Sequence, residues 1–377
     1  MPLTRQQISE SAAGKLSAAL PTLGAIPALI GLDGFVDEII AVVDKRLDRQ
    51  HFDPIKTIAV FGQKILKAAG HSSNYELYVK QTKLGGNGPI MANALAAAGL
   101  AVTYIGCLGY PTMHPVFAEL ARRAKVLSIA EPGHTDALEF EDGKLMLGKH
   151  QSLGEVNWEN LTERVGKEQL FKLIGGAKLI GMVNWTMLPF MSDIWYMLQT
   201  EILPRCPKRE RILFVDLADP EKRTHDDISA ALKILCGFQS TMNVVLGLNL
   251  KESEAIAQVL GIALPADSEA LIERTAGEIR RRLGISCVVI HPRKSAAAAT
   301  ERESAHFLGP FVQQPKISTG AGDHFNAGFC IGRVVGLSLE ESLCAGVATS
   351  GYYVRNAESP TGGQLADFIA NLPSPQG

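Results

Sequence analysis

Six short apolar runs punctuate the chain: Pro27–Leu32, Val102–Leu108, Lys178–Val183, Ile212–Val215, Asn243–Leu248 and Cys287–Ile290. The stretches between them space their apolar positions as helices do. This alternation predicts a mostly parallel central sheet wrapped by helices, and unbroken apolar runs suit strands buried on both faces. Polar residues follow most of the runs: Asp33, Asn184, Asp216 with Asp219, Asn249 and His291. Polar groups gathered at the carboxyl ends of parallel strands mark the usual ligand crevice of such sheets. Two segments break the rhythm. Tyr75–Thr82 alternates with period two, and Thr135–Gln151 reads as a hairpin turning at Glu141-Asp142-Gly143. They predict a small added β sheet, a lid, with strands within 75–84 and 135–157. No repeat or clear linker divides the chain, so residues 1–377 read as a single domain.

The stretch richest in chemistry is Ser318-Thr319-Gly320-Ala321-Gly322-Asp323, followed by a nearly continuous apolar segment to about Val335. The segment predicts a buried helix with the Gly-Ala-Gly turn at its start. Amides there are free and the helix dipole is positive, which suits a phosphate. An acid beside such an anion site points to phosphoryl transfer, with Asp323 near the reacting hydroxyl; the competing reading of Asp323 is a helix cap. Gly328, Gly332 and Gly336 recur at four-residue spacing, so this helix should pack closely against a neighbour. Ser338-Leu-Glu-Glu341 is a capping box that starts the next one. Upstream, Lys83-Leu-Gly-Gly86-Asn87-Gly88-Pro89 leads into a small-residue helix. Asn87 there can both donate to and accept from a hydroxyl.

Composition narrows the partners. Lys+Arg 37 against Asp+Glu 39 gives a net charge of −2, which implies no nucleic-acid partner. Six scattered cysteines without a C-x-x-C pair read as free thiols in a reducing compartment. Met1–Leu20 lacks the apolar core of a secretion signal, and the most hydrophobic window, Leu179–Leu198, is broken by Asn184, Pro189 and Asp193. A cytoplasmic protein without a membrane partner is the expectation. No G-x-x-x-x-G-K-[ST] loop is present, and Phe325 stands where a dinucleotide fingerprint needs its third glycine.

Taken together, the Gly-Gly-Asn87 turn, the Thr319-Gly-Ala-Gly-Asp323 helix start and Asn249-Leu-Lys-Glu252 after a strand resemble the ribokinase-like (PfkB) family of carbohydrate and nucleoside kinases. The resemblance runs from Gly31 to about Phe368. It implies a three-layer α/β/α sandwich with a β lid, and ATP-dependent phosphorylation of a hydroxyl on a small sugar or sugar acid. A nucleoside acceptor, or a non-catalytic sugar- or nucleotide-binding regulator, is the alternative. In the family's pattern Asp323 is the general base and the Gly320, Ala321 and Gly322 amides form the anion hole. Asn249 and Glu252 help hold Mg²⁺ and its waters near the nucleotide, whose binding also involves Thr319. An N-terminal aspartate binds sugar hydroxyls; Asp37 fits that place if one extra residue is allowed, and Asp33 is the other candidate, with Gly86 and Asn87 on the same acceptor side. Asp219-Pro-Glu-Lys-Arg223 resembles the Asp-Pro-x-x-Arg of sugar-acid and fructose kinases, so Arg223 either reaches a phosphate or substrate anion or makes a surface salt bridge. The lid residues Asp136, Glu139, Gln151 and Asn157 are those that would tune the substrate, and the lid's edge suggests a homodimer.

Two departures stand out. Many members carry an acid two residues before the Thr-Gly that helps bind a monovalent cation; Ile317 stands there. The family's glycine-rich loop after the late strand is replaced by His291-Pro-Arg293-Lys-Ser-Ala296, placing two cations near the nucleotide.

Overall fold

The computed structural model describes residues 3–264, 267 and 269–375. In chain order its strands are β1 (Pro27–Leu32), β2 (Phe35–Arg46), β3 (Phe52–Pro54), β4 (Leu77–Gly85), β5 (Ala101–Gly106), β6 (Lys125–Ser128), β7 (Gly133–Phe140), β8 (Gly143–Lys149), β9 (Leu179–Val183), β10 (Ile212–Asp216), β11 (Asn243–Leu248), β12 (Cys287–Ile290), β13 (Ser295–Thr300) and β14 (Ser304–Leu308). Nine of them form one sheet in the order β14-β13-β12-β11-β10-β9-β1-β5-β6. The six apolar runs supply six of the seven mutually parallel strands, β6 being the other; β13 and β14 close one edge antiparallel.

Alternate residues of each central strand enter opposite cores. Leu213 and Val215 of β10 join one apolar cluster and Phe214 the other; Val244 and Val245 of β11 divide the same way. The first cluster is roofed by helices such as His225–Gly237 and Ile272–Leu283, the second by Asn87–Ala98, Ala321–Val334 and Leu339–Asn356. Helix, sheet and helix therefore make three layers, as the sequence predicted. The last two helices pack closest of all. A Cβ on Gly328 would lie 2.2 Å from Thr349 Oγ1, and one on Gly332 would lie 2.8 Å from Ser342 Cα. Gly336 differs from the expectation: it meets nothing within 4 Å and, at φ +82°, turns the chain out of the helix.

The lid is a second sheet in the order β3-β2-β7-β8, with β4 also paired to β2. Both predicted lid segments lie in it. Its central strand β2 was not anticipated, because Phe35–Arg46 shows no clean period of two. Ile40, Val42, Leu138 and Phe140 on one face pack with Phe61 of helix Ile58–Lys67 in a third small core. Among the described residues no helix is long and apolar enough to cross a membrane.

Candidate active site

The carboxyl ends of β9, β10, β11 and β12 open into a cleft of about 760 Å³, walled on the far side by the lid. Asn184, Asp216, Asp219, Asn249 and His291, polar residues that follow the apolar runs, all line it. Asp37, Gly86, Asn87, Glu252, Arg293, Gly320, Ala321, Gly322 and Asp323 line it as well. Residues separated by most of the chain thus face one space, because parallel strands all end on the same side.

Asp323 stands in the first turn of helix Ala321–Val334, whose start at Gly320 carries no side-chain cap. Its carboxylate is 6% exposed and accepts from Asn87 Nδ2 at 2.9 Å, so it is not spent on capping. Nothing in the sequence called for an unusual acidity, yet the structure gives Asp323 one. Burial pushes its pKa up to about 8; the Asn87 hydrogen bond opposes the rise, and the charges of Asp33 and Glu252 add to it. Raised pKa values of this kind suit a base that works near neutral pH. Beside it, Gly320 has φ +87°, a conformation open chiefly to glycine. The Ala321 amide donates to Ser318 O at 3.2 Å. First-turn amides have no partner within the helix, which leaves Gly322 oriented for an anion.

Asp33 sits under the cleft rather than in it. It is fully buried, with Oδ2 accepting from the Asn87 amide at 2.9 Å and from Asn184 Nδ2 at 2.7 Å, and Oδ1 accepting from the Gly88 amide at 2.8 Å. Its oxygens are occupied by the turn that presents Asn87, which removes them from direct contact with a ligand. Asp37 is the acid that faces the space. It lies on β2 in register with Thr135 of β7, which in turn pairs with Gly148 of β8. Burial raises the Asp37 pKa, while a hydrogen bond from the Thr135 side chain lowers it. A Cβ on Gly85 would come within 2.3 Å of Asp37 Oδ2, so the position opposite the carboxylate has to be glycine.

Asn249 and Glu252 form a capping box: Asn249 Oδ1 accepts from the Glu252 amide, and Glu252 Oε2 from the Asn249 amide. Glu252 Oε1 accepts from the Asp219 amide at 3.0 Å. Asp216 was legible only as a strand-end acid with no role. The structure places it beside this pair, with Asn326 Nδ2 donating to it at 2.7 Å. Burial, and then repulsion from Asp323, raises Asp216; burial, and then Asp216, raises Glu252. The carboxyls therefore crowd one another.

His291 stacks on Phe325 with ring centroids 4.5 Å apart, and burial pushes its pKa down to about 4. Its Nε2 has no partner among the described residues. Arg293 and Lys294 approach the Phe311 ring at 6.0 and 5.3 Å at the cleft rim. Arg223 and Thr319 do not line the cleft. Arg223 donates to the carbonyls of Thr186 and Leu188, pairs with Asp227 at 2.8 Å and lies over the Trp185 ring, a clamp that engages all three of its nitrogens. The Thr319 carbonyl accepts from Tyr353 OH at 3.0 Å.

The lid contributes a different set from the one its polarity suggested. Thr135, Met146, Gly148 and His150 face the cleft. Asp136 pairs with Lys149, Glu139 with Lys144, and Asn157 caps a helix. Their partners on or beside the lid, rather than any ligand, account for their polarity. His150, edge-on to Phe35 at 5.4 Å, gave no signal in the sequence beyond its place at the hairpin's end.

The comparisons with known proteins agree with this geometry. The model of the prokaryotic ketohexokinase family matches residues 7–372. A ketohexokinase from Haloferax volcanii is 30% identical over 347 residues, spanning 91% of this chain and 90% of that protein. Among solved structures, a phosphofructokinase-2 variant from Escherichia coli superposes with a TM-score of 0.63 at 16% identity, covering 92% of this chain and 98% of its own. Arabidopsis thaliana ribokinase, complexed with ribose and ATP, superposes at 0.62 with 15% identity, covering 91% and 98%. At such identity the two structures show the shared fold. The strand-end cleft, the Gly-Ala-Gly-Asp helix start and these matches lead to one conclusion: the chain is a phosphotransferase of the prokaryotic ketohexokinase family, with the fold seen in ribokinase.

Proposed function

We propose that this protein transfers the terminal phosphoryl group of ATP to a hydroxyl of a ketohexose. The observation that carries the reading is the placement of Asp323: a buried carboxylate, held by Asn87, beside the Gly320–Gly322 turn in a cleft whose other wall presents Asp37. A hydroxyl attacking phosphorus needs a base in line and positive potential on the phosphoryl oxygens. Asp323 accepts the hydroxyl proton. The amides at the helix start receive the oxygens; one such preorganised donor is worth about 3–4 kcal/mol. Asp37, with Thr135 behind it, accepts from sugar hydroxyls, and Asn87 contacts both sugar and base.

Asp216, Glu252 and Asn249 fit a magnesium ion of the kind kinases use, held by one or two carboxylates together with nucleotide phosphates and water. Burial first and neighbouring carboxylates second raise Asp216 and Glu252, and a cation there would relieve both. Bound there, magnesium neutralises charge on the phosphates. His291, Arg293 and Lys294 flank the nucleotide side. The reading implies a cytoplasmic enzyme, where ATP and ketohexoses are at hand.

The test is a coupled assay of ATP consumption over a panel of ketohexoses, aldoses, sugar acids and nucleosides with Mg²⁺. Turnover confined to ketohexoses is expected. Activity only with nucleosides or sugar acids would move the substrate assignment, and no turnover with any of them would remove it.

A further inference from the structure

The turn that carries Gly320 to Gly322 has no side-chain cap, and its first glycine holds a positive φ. Its carbonyls are instead gripped from outside. His324 Nδ1 lies 2.7 Å from Gly320 O, and Tyr353 OH donates to Thr319 O at 3.0 Å. The His324 and Tyr353 rings stack, with centroids 3.6 Å apart and planes 12° from parallel. On its far side His324 Nε2 lies 2.9 Å from Ser359 Oγ, which itself accepts from Asn93 Nδ2 at 3.4 Å. His324 is 2% exposed, and burial keeps its ring neutral at physiological pH.

The partners settle the tautomer. A carbonyl only accepts, so Nδ1 carries the proton, and Nε2 is the lone pair that receives the Ser359 hydroxyl. The peptide group is planar and its C=O and N–H point in opposite directions. Thr319 O shares a plane with the Gly320 amide, and Gly320 O with the Ala321 amide. Pulling the Thr319 carbonyl toward Tyr353 therefore turns the Gly320 amide the other way, toward the cleft that Gly320 lines, while Gly320 O accepts from both the amide and the ring of His324 and the Ala321 amide donates to Ser318 O.

We propose that His324 and Tyr353 are positioning residues for phosphoryl transfer: a stacked pair that fixes the backbone of the anion-hole turn and the direction of its Gly320 amide, with Ser359 holding the tautomer. The proposal rests on the reading of Gly320–Gly322 as the anion hole. Neither ring touches the reacting atoms. They act through the backbone, and the arrangement ties the catalytic turn to the loop after helix Leu339–Asn356.

The test compares kcat, the KM for ketohexose and for Mg·ATP, and Tm in Tyr353→Phe, His324→Phe and His324→Asn, with Asp323→Asn alongside. Both Phe variants keep an aromatic ring for the stack and lose the donor to the turn. A turn displaced by an ångström costs about 10²-fold, so kcat should fall by about 10–100-fold in each, with the ketohexose KM and Tm unchanged. His324→Asn places an amide donor near Nδ1 and should recover most of the loss. Full kcat in both Phe variants would overturn the proposal, as would equal loss in His324→Phe and His324→Asn accompanied by a lower Tm, the mark of a packing role. Tyr353→Phe, which removes one oxygen, decides if a His324 variant fails to fold. Undiminished turnover in Asp323→Asn would instead overturn the underlying reading of the site.

Discussion

Asp323 has a consequence for stability as well as for turnover. Its pKa is about 8 in the fold, well above the ordinary carboxylate range, raised first by burial. A carboxyl raised in this way favours the folded state while protonated, and the contribution is present below about pH 4 and lost as pH climbs through about 8. Asp33, raised to about 6, acts in the same direction. The ligand-free protein should therefore show a Tm that falls from pH 6 to pH 9. Asp323→Asn should raise Tm at pH 8.5, by about 2 kcal/mol in unfolding free energy; a variant no more stable than the parent there would contradict the buried, crowded carboxylate. Asp37, which fits the spacing better in the sequence, and Asp33, the other candidate, differ in their surroundings. Asp33→Asn puts a donor against the N–H groups of Asn87 and Gly88 and should cost about 2–3 kcal/mol of stability, read by urea unfolding. Asp37→Asn should leave unfolding alone and raise the ketohexose KM about 10–100-fold, the worth of a hydrogen bond to a charged group. Spacing favoured Asp37 only if one extra residue was allowed. The distinction lies in which side of a buried turn each carboxylate faces, and that depends on β2 pairing with β4 and β7.

Among the elements, the helix that begins at the catalytic turn depends on its glycines. With Thr349 Oγ1 and Ala345 O 2.2 and 2.5 Å from where its Cβ would be, Gly328→Ala should destabilise by about 1–3 kcal/mol, through overpacking against a rigid neighbour. Gly336→Ala meets no atom but must adopt a positive φ, so it should cost about 1 kcal/mol. Urea midpoints would rank the two. Ahead of the same turn, Ile317 offers no oxygen to a cation, so turnover should be the same in potassium and tetramethylammonium buffers; potassium activation would point to ligands elsewhere in the loop. Continuous apolar runs made the central strands readable to within a residue or two, since burial on both faces leaves no room for polar positions. The edge strands β13 and β14 were unreadable for the opposite reasons. Ser295–Thr300 is a run of alanines, which favours helix by propensity, and only its packing beside β12 makes it a strand.

Across the whole molecule, seven parallel strands bring their carboxyl ends to one mouth, and the lid supplies the wall that a parallel sheet cannot supply itself. The motifs announced the donor side of that cleft. On the acceptor side Asp37, Gly86 and Asn87 were legible, whereas Met146 on β8 and His150 just past its end are set by register rather than by any local pattern. The same lid leaves Leu77, Tyr78 and Val79 exposed along β4, the surface a second copy would cover if the expected homodimer forms. Sedimentation would show the dimer, and a monomer at assay concentration would remove that expectation. The central claim is that this fold brings a ketohexose hydroxyl to Asp323. Its most direct test is the turnover of a ketohexose with saturating Mg·ATP by the parent and by Asp323→Asn across pH 6 to 9. The account predicts that the parent's kcat/KM rises with pH and is half-maximal near 8, and that the variant loses about 10²–10⁴-fold with no such limb. A variant that turns over at the parent's rate, with the same pH profile, would contradict it.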